Sequence, residues 1–115
     1  MATAQATSFP AEWLRGLTPL AVISVLASAP MHGYAIGQAL EEAGIGKVKG
    51  GTLYPILAKL EAQNIVSSEW EHADSGPGRK IFTLTEHGKQ HATAMKQQWA
   101  SFANSINQIT NNIEG

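Results

Sequence analysis

The apolar positions of this chain change their period along its length. "LAVISVLASAP", after Thr18-Pro19, is almost continuously apolar and predicts a largely buried helix. Thr18 reads as its cap, with proline at the first helical position, and the helix runs to about Ala29 before Pro30 ends it. Ahead of it, "PAEWLRG" predicts a short separate helical stretch carrying Trp13 and Leu14. "HGYAIGQALEEAG" follows, with Tyr34, Ile36, Ala39, Leu40 and Ala43 at helical spacing and Gly44 as a stop signal. A third helix is predicted over "GTLYPILAKLE", where Leu53, Ile56, Leu57 and Leu60 form the core face. Pro55 inside it leaves two readings open. If the helix starts near Gly51 or Thr52, the proline lies in the first turn, where N–H groups have no intrahelical partner. If it starts near Lys49, Pro55 removes a ladder bond and Gly51 relieves the clash.

At Ile65 the period falls to two. "IVSSEWEH" alternates, with Val66, Ser68 and Trp70 on one face and Ser67, Glu69 and Glu71 on the other. "RKIFTLT" alternates likewise, and "ADSGPG" between them is rich in turn formers, so a β-hairpin is predicted. Trp70 is expected in the core or packed beneath the hairpin.

Thr85 then caps a last helix from Glu86 to about Ile113, in which Ala92, Met95, Trp99, Phe102, Ile106, Ile109 and Ile113 follow at intervals of 3, 4, 3, 4, 3 and 4. Such a heptad repeat makes a narrow seam that suits a partner helix. At about 1.5 Å per residue the seam is about 30 Å long, more than so small a domain covers by itself. These seven residues are therefore the expected dimer interface. An indole at Trp99 is too wide for a tight two-helix contact, so the seam must splay there. Trp13 or Phe102 from either protomer fills the gap, or a flat apolar ligand does; a simply packed interface tryptophan is the alternative.

Composition narrows the picture. The chain has 115 residues, 43% of them hydrophobic and 15% charged, which suits one folded domain. The absence of cysteine removes disulfide scaffolds, thiol nucleophiles and thiolate metal sites. The longest apolar run is shorter than the roughly 20 residues needed to cross a bilayer, and no basic segment precedes it. A cytoplasmic protein without membrane contact is expected. A net charge of −1 does not announce a nucleic-acid ligand, but the distribution is uneven. Lys47, Lys49, Lys59, Arg79 and Lys80 are five of the eight basic residues, and no acid stands between 47 and 59. Acids collect at Glu41, Glu42, Glu69, Glu71 and Asp74.

Helix, helix, helix, hairpin and long helix is the order of a winged helix-turn-helix domain, a mainly α fold with a β-hairpin (α+β). The expected division is a flexible arm over 1–9, a DNA-binding domain over 10–85 and a C-terminal dimerisation helix over 86–115. "GTLYPILAKLE", "IVSSEW" and "GPGRKIFTLTEHG", with "VLASAPMHGYAIGQAL" before them, resemble the PadR family of bacterial transcriptional regulators, in its short subfamily. The resemblance runs from about Trp13 to Phe102.

It implies a third helix that enters the major groove by its N-terminal end, so that Thr52, Tyr54 and Lys59 face the duplex. Lys47, Lys49, Arg79 and Lys80 become phosphate contacts, Tyr34 offers a hydroxyl or packs in the core, and Gly78 lets the wing tip approach DNA. Thr52 either contacts DNA or caps its helix. The family often has a Ser or Asn cap where this chain has Lys49. A homodimeric repressor on a roughly palindromic operator is implied. So is release by a small aromatic or drug-like effector, since short members include regulators of drug and phenolic-compound responses. Trp13, Trp99 and Phe102 are the expected effector contacts.

Two rival readings start from other features. The low net charge allows a winged-helix protein-interaction adaptor without specific DNA binding. His87 and His91, four apart on a helix, have a metal-binding spacing but no third ligand nearby in sequence. His32 is expected to cap or pack. No catalytic triad or carboxylate pair is recognisable, so neither an enzyme nor a cofactor is expected.

Overall fold

A computed structural model of the chain describes residues 9–71, 76 and 78–115. Residues 1–8 of the expected arm and most of the expected hairpin turn, at 72–75 and 77, lie outside the described residues.

The first helix, α1 (Ala11–Leu26), is a single element with Pro19 inside it. This corrects the expected short stretch followed by a separately capped helix. Thr18 caps nothing and is buried within α1. Pro19 forfeits one ladder bond, whereas breaking the helix would require a second costly nucleus, so propagation wins. The helix stops before Ala29, with Ala27 N–H donating to the Ile23 carbonyl at 3.0 Å and Ser28 N–H to that of Val25 at 3.1 Å. Pro30 disfavours helical geometry at the residue before it, which accounts for the earlier end.

A two-residue strand, β1 (Met31–His32), follows; it is too short to leave a periodic signal in the sequence. Next comes α2 (Gly33–Glu42), at whose start the His32 ring accepts from Ala35 N–H at 3.4 Å. Gly44 stops it, at φ +90°. Then α3 (Gly50–Ala62) begins directly after Lys49, so Pro55 is its sixth residue and does remove a ladder bond. Leu53, Leu57 and Leu60 are buried and Ile56 partly so.

Two six-residue strands, β2 (Val66–Glu71) and β3 (Arg79–Leu84), form the expected hairpin. With β1 they make an antiparallel sheet in the order β1-β3-β2. Its register pairs Val66 with Leu84, Ser68 with Phe82 and Trp70 with Lys80. Paired residues share a face, and this face carries the core residues Val66, Phe82 and Leu84. Burial fades along β2 from Val66 through Ser68 to Trp70, which is 64% exposed. Trp70 is thus neither core nor covered, because the strand outruns the helices beneath it.

The last helix, α4 (Glu86–Thr110), ends slightly before Ile113. The Thr85 hydroxyl oxygen accepts from Gly88 N–H at 2.8 Å and the hydroxyl donates to the Asn64 carbonyl at 2.6 Å. One side chain thus caps α4 and ties it to the turn between α3 and β2. Thr85→Ala is expected to cost about 1 kcal/mol, a fall in Tm of roughly 5 °C by thermal unfolding. The core lies among α1, α2, α3 and the sheet, with Val22, Ile23, Ile36, Leu40, Leu57 and Val66 almost wholly enclosed. From Trp99 onward no residue of α4 is buried.

Candidate nucleic-acid interface

The N-terminus of α3 follows the loop that carries Lys47 and Lys49. No side chain caps it and no acid occupies its first turn. The positive end of the helix dipole and its free N–H groups therefore stand beside two lysines, an arrangement suited to phosphate oxygens. Thr52 is exposed and does not serve as the cap. Lys47, Lys49 and Lys59 are exposed, and none makes an ion pair among the described residues.

Packing of α2 on α3 is set by one glycine. Gly33, buried at the start of α2, faces the Tyr54 ring and hydroxyl, and a Cβ there would collide with both. Tyr54 is nevertheless 52% exposed, so its ring both seats α3 and shows an edge to solvent. Tyr34 is 71% exposed, which removes the core reading of this residue. Its ring stacks on His32 with centroids 6.5 Å apart and 10° between planes.

Arg79 reaches the same place from the wing, with Nη1 lying 3.3 Å from His32 Nε2 and Nη2 3.8 Å from Glu71 Oε1. A neutral imidazole has one bare nitrogen, so His32 either accepts from Arg79 or caps α2 in a given tautomer, not both. His32, Tyr34, Tyr54 and Arg79 thus meet where α2, α3 and the wing join. His32 is the member missed as a site residue; its role depends on the β1–β3 pairing, which left no signal in the sequence.

Lys80 is less free than its position in sequence suggests. Its Nζ lies 3.9 Å from Glu61 Oε1 and 5.8 Å from the centre of the Phe82 ring. Ser68 Oγ donates to the other Glu61 oxygen at 2.7 Å, so Glu61 ties α3 to both long strands of the wing. So exposed an ion pair contributes at most about 1 kcal/mol, and a phosphate can displace it. Gly78 also has a local reason to be glycine, since a Cβ there would stand 2.6 Å from the Glu71 carbonyl oxygen.

A groove of about 730 Å³ runs between α1 and α4, lined among others by Leu17, Leu20, Val25, Ala92, Lys96 and Trp99. Phe102 lies beside Trp99, with ring centroids 6.4 Å apart. Neither Phe102 nor Trp13 lines the groove, and Trp13 is 60% exposed. Of the expected seam, Ala92 and Met95 pack against the chain's own core. Trp99, Phe102, Ile106, Ile109 and Ile113 remain exposed. Among the described residues no group of three His, Asp or Glu side chains is placed to hold a metal, and no helix is long and apolar enough to cross a membrane.

A short sheet, two helices locked at a glycine, an uncapped basic helix start and a cationic wing base together define a winged helix-turn-helix DNA-binding protein. The chain belongs to the Transcriptional regulator PadR-like family, which it matches over residues 22–94. Members of that family are transcriptional regulators, not enzymes. Over 95 residues it is 30% identical to a transcriptional regulator of Mycobacterium tuberculosis, a match covering 83% of this chain and 87% of that protein. It is 38% identical over 69 residues to an uncharacterized 37.1 kDa protein in transposon TN4556 of Streptomyces fradiae, covering 60% of this chain but only 19% of that protein's length. The fold superposes with a TM-score of 0.76 on the crystal structure of a PadR family transcriptional regulator from Eggerthella lenta, at 31% identity over 85% of each chain.

Proposed function

We propose that the protein is a cytoplasmic homodimeric repressor that leaves its operator when a small planar apolar compound binds between its subunits. The observation that carries this reading is the apolar stripe that runs from Trp99 along α4 to Ile113 just beyond its end, left exposed among the described residues. A second copy of α4 covers it and sets two α3 helices about 34 Å apart, on a roughly palindromic site. Tyr34, Tyr54 and Thr52 then face the groove edge, and Lys47, Lys49, Lys59, Arg79 and Lys80 neutralise phosphates. Lys49→Ala is expected to lower the log–log salt slope of DNA binding by about 0.9 per subunit, about 1.8 for the dimer, with a uniform loss of affinity across sequences. An unchanged slope by anisotropy titration at several salt concentrations removes Lys49 from the interface.

The effector site builds on the groove that ends at Trp99. In the dimer the two Trp99 rings, with Phe102 and Trp13, hold a flat ligand, and its insertion changes the separation of the α3 helices. Moving a dimer from 99% to 1% competent takes about 5.5 kcal/mol of differential ligand affinity, so the two states must differ substantially at this site. The test is light scattering followed by titration of a flat phenolic or cationic dye into the protein–DNA complex. Support is a mass near twice 12.2 kDa, with tryptophan quenching and DNA release at the same dye concentration. A monomer at micromolar concentration, or quenching that leaves the DNA bound, overturns the proposal.

A further inference from the structure

Trp70 has no role in the proposal so far, yet it is a large aromatic side chain held in the open. It stands directly across from Lys80, on the sheet face that carries Val66 and Ser68. That face is turned toward α3, because Ser68 donates to Glu61 of that helix. Trp70 lies two residues farther along β2, about 7 Å closer to the hairpin tip. Its ring edge lies near Gly78, where a built Cβ would be 3.8 Å from Cε3. The indole therefore projects from the sheet face that is turned toward α3, across the strand pair from Lys80, and among the described residues it is left largely uncovered.

A helix of about 10–12 Å diameter fills a major groove about 12 Å wide, so groups on its flank meet the sugar–phosphate walls rather than base edges. From this geometry we infer that Trp70 is a DNA-backbone contact: its ring lies against deoxyribose and its Nε1–H donates to a phosphate oxygen. Lys80 supplies the charge beside it. Glu61, bonded to Ser68 and paired with Lys80, ties this face of the wing to α3. An indole offers a flat apolar face with a donor at its edge, which matches a sugar followed by a phosphate. Such a contact adds affinity without reading sequence. The inference rests on the DNA-binding reading above.

The test uses the full chain and a labelled duplex from its own upstream region, with a scrambled duplex as control. Trp70→Ala is expected to weaken both complexes by about tenfold for each lost aromatic contact, about a hundredfold for a dimer that loses two, and to leave the salt slope within about one unit of wild type. Trp70→Phe, which keeps a flat ring, recovers most of the loss. In the wild-type protein, duplex is expected to protect Trp70 from oxidation, read peptide by peptide in a mass spectrometer, whether or not the variants fold well. Affinity of Trp70→Ala within about twofold of wild type, or equal oxidation with and without duplex, overturns the inference and points to a protein partner for this surface. If wild type binds neither duplex, the DNA-binding reading itself fails, and the inference fails with it.

Discussion

Gly88→Ala is expected to destabilise the protein by about 3 kcal/mol, near the upper end for an added methyl group. Gly88 is buried in the first turn of α4, and a Cβ there would collide with the Ile65 carbonyl. That carbonyl already accepts from Thr85 N–H at 3.0 Å, so it cannot simply turn away. The obstacle is backbone against backbone, with Ile65 itself in the core, and no side chain can rotate to relieve it. Shifting α4 outward would also lengthen the Gly88 N–H bond to Thr85 and weaken the cap. Urea unfolding measures the effect as a lower midpoint at unchanged slope. A midpoint equal to that of wild type contradicts this view of the junction. The same junction fixes the angle between α4 and the DNA-reading body, so a partly folded variant is also expected to lose operator affinity.

Ile106→Glu combined with Ile109→Glu is expected to separate the dimer while leaving each chain folded. Both residues are substantially exposed within one chain, at 40% and 61%, so their loss costs the fold little. Across a dimer they supply four apolar side chains, each contributing about 1.5 kcal/mol or more when buried. Their replacement also places like charges on both sides of the seam. The dimer dissociation constant is expected to rise by at least about a hundredfold, allowing for partial burial. Light scattering checks this as a mass near 12.2 kDa at concentrations where the proposed wild-type dimer is expected to be twice as heavy. DNA affinity falls with it, because each half-site must then be filled separately. A double variant that stays dimeric contradicts the assignment of the seam.

Much of the fold was legible because its elements carry local signals. Thr85 and His32 mark helix starts, Gly44 marks a stop, and the alternation on both sides of "ADSGPG" marks the hairpin. The failures share a cause, which is that tertiary context decided them. Thr18-Pro19 is a sound helix start by itself, but a continuing helix needs no second nucleus. The two residues of β1 acquire meaning only when Phe82 and Ile81 lie opposite them. Trp70 obeys the alternation and still ends in solvent, because periodicity gives the face of a strand but not how far the helices beneath it extend. At Gly78 the sequence shows a glycine but not the Glu71 carbonyl that leaves no room for a Cβ there. In the seam, an unbroken heptad pattern hides a division of labour. Ala92 and Met95 serve the chain's own core, and the apolar positions from Trp99 onward do not.

The most direct measurement is an anisotropy titration of labelled DNA from the protein's own upstream region against a scrambled duplex, at several salt concentrations. A DNA-reading dimer is expected to bind the native duplex far more tightly. Its log affinity is expected to fall linearly with log salt, by about 0.9 for each phosphate neutralised. Equal, weak and salt-insensitive binding of both duplexes, repeated with other candidate operators, would contradict the account and favour a winged-helix adaptor that has lost its DNA.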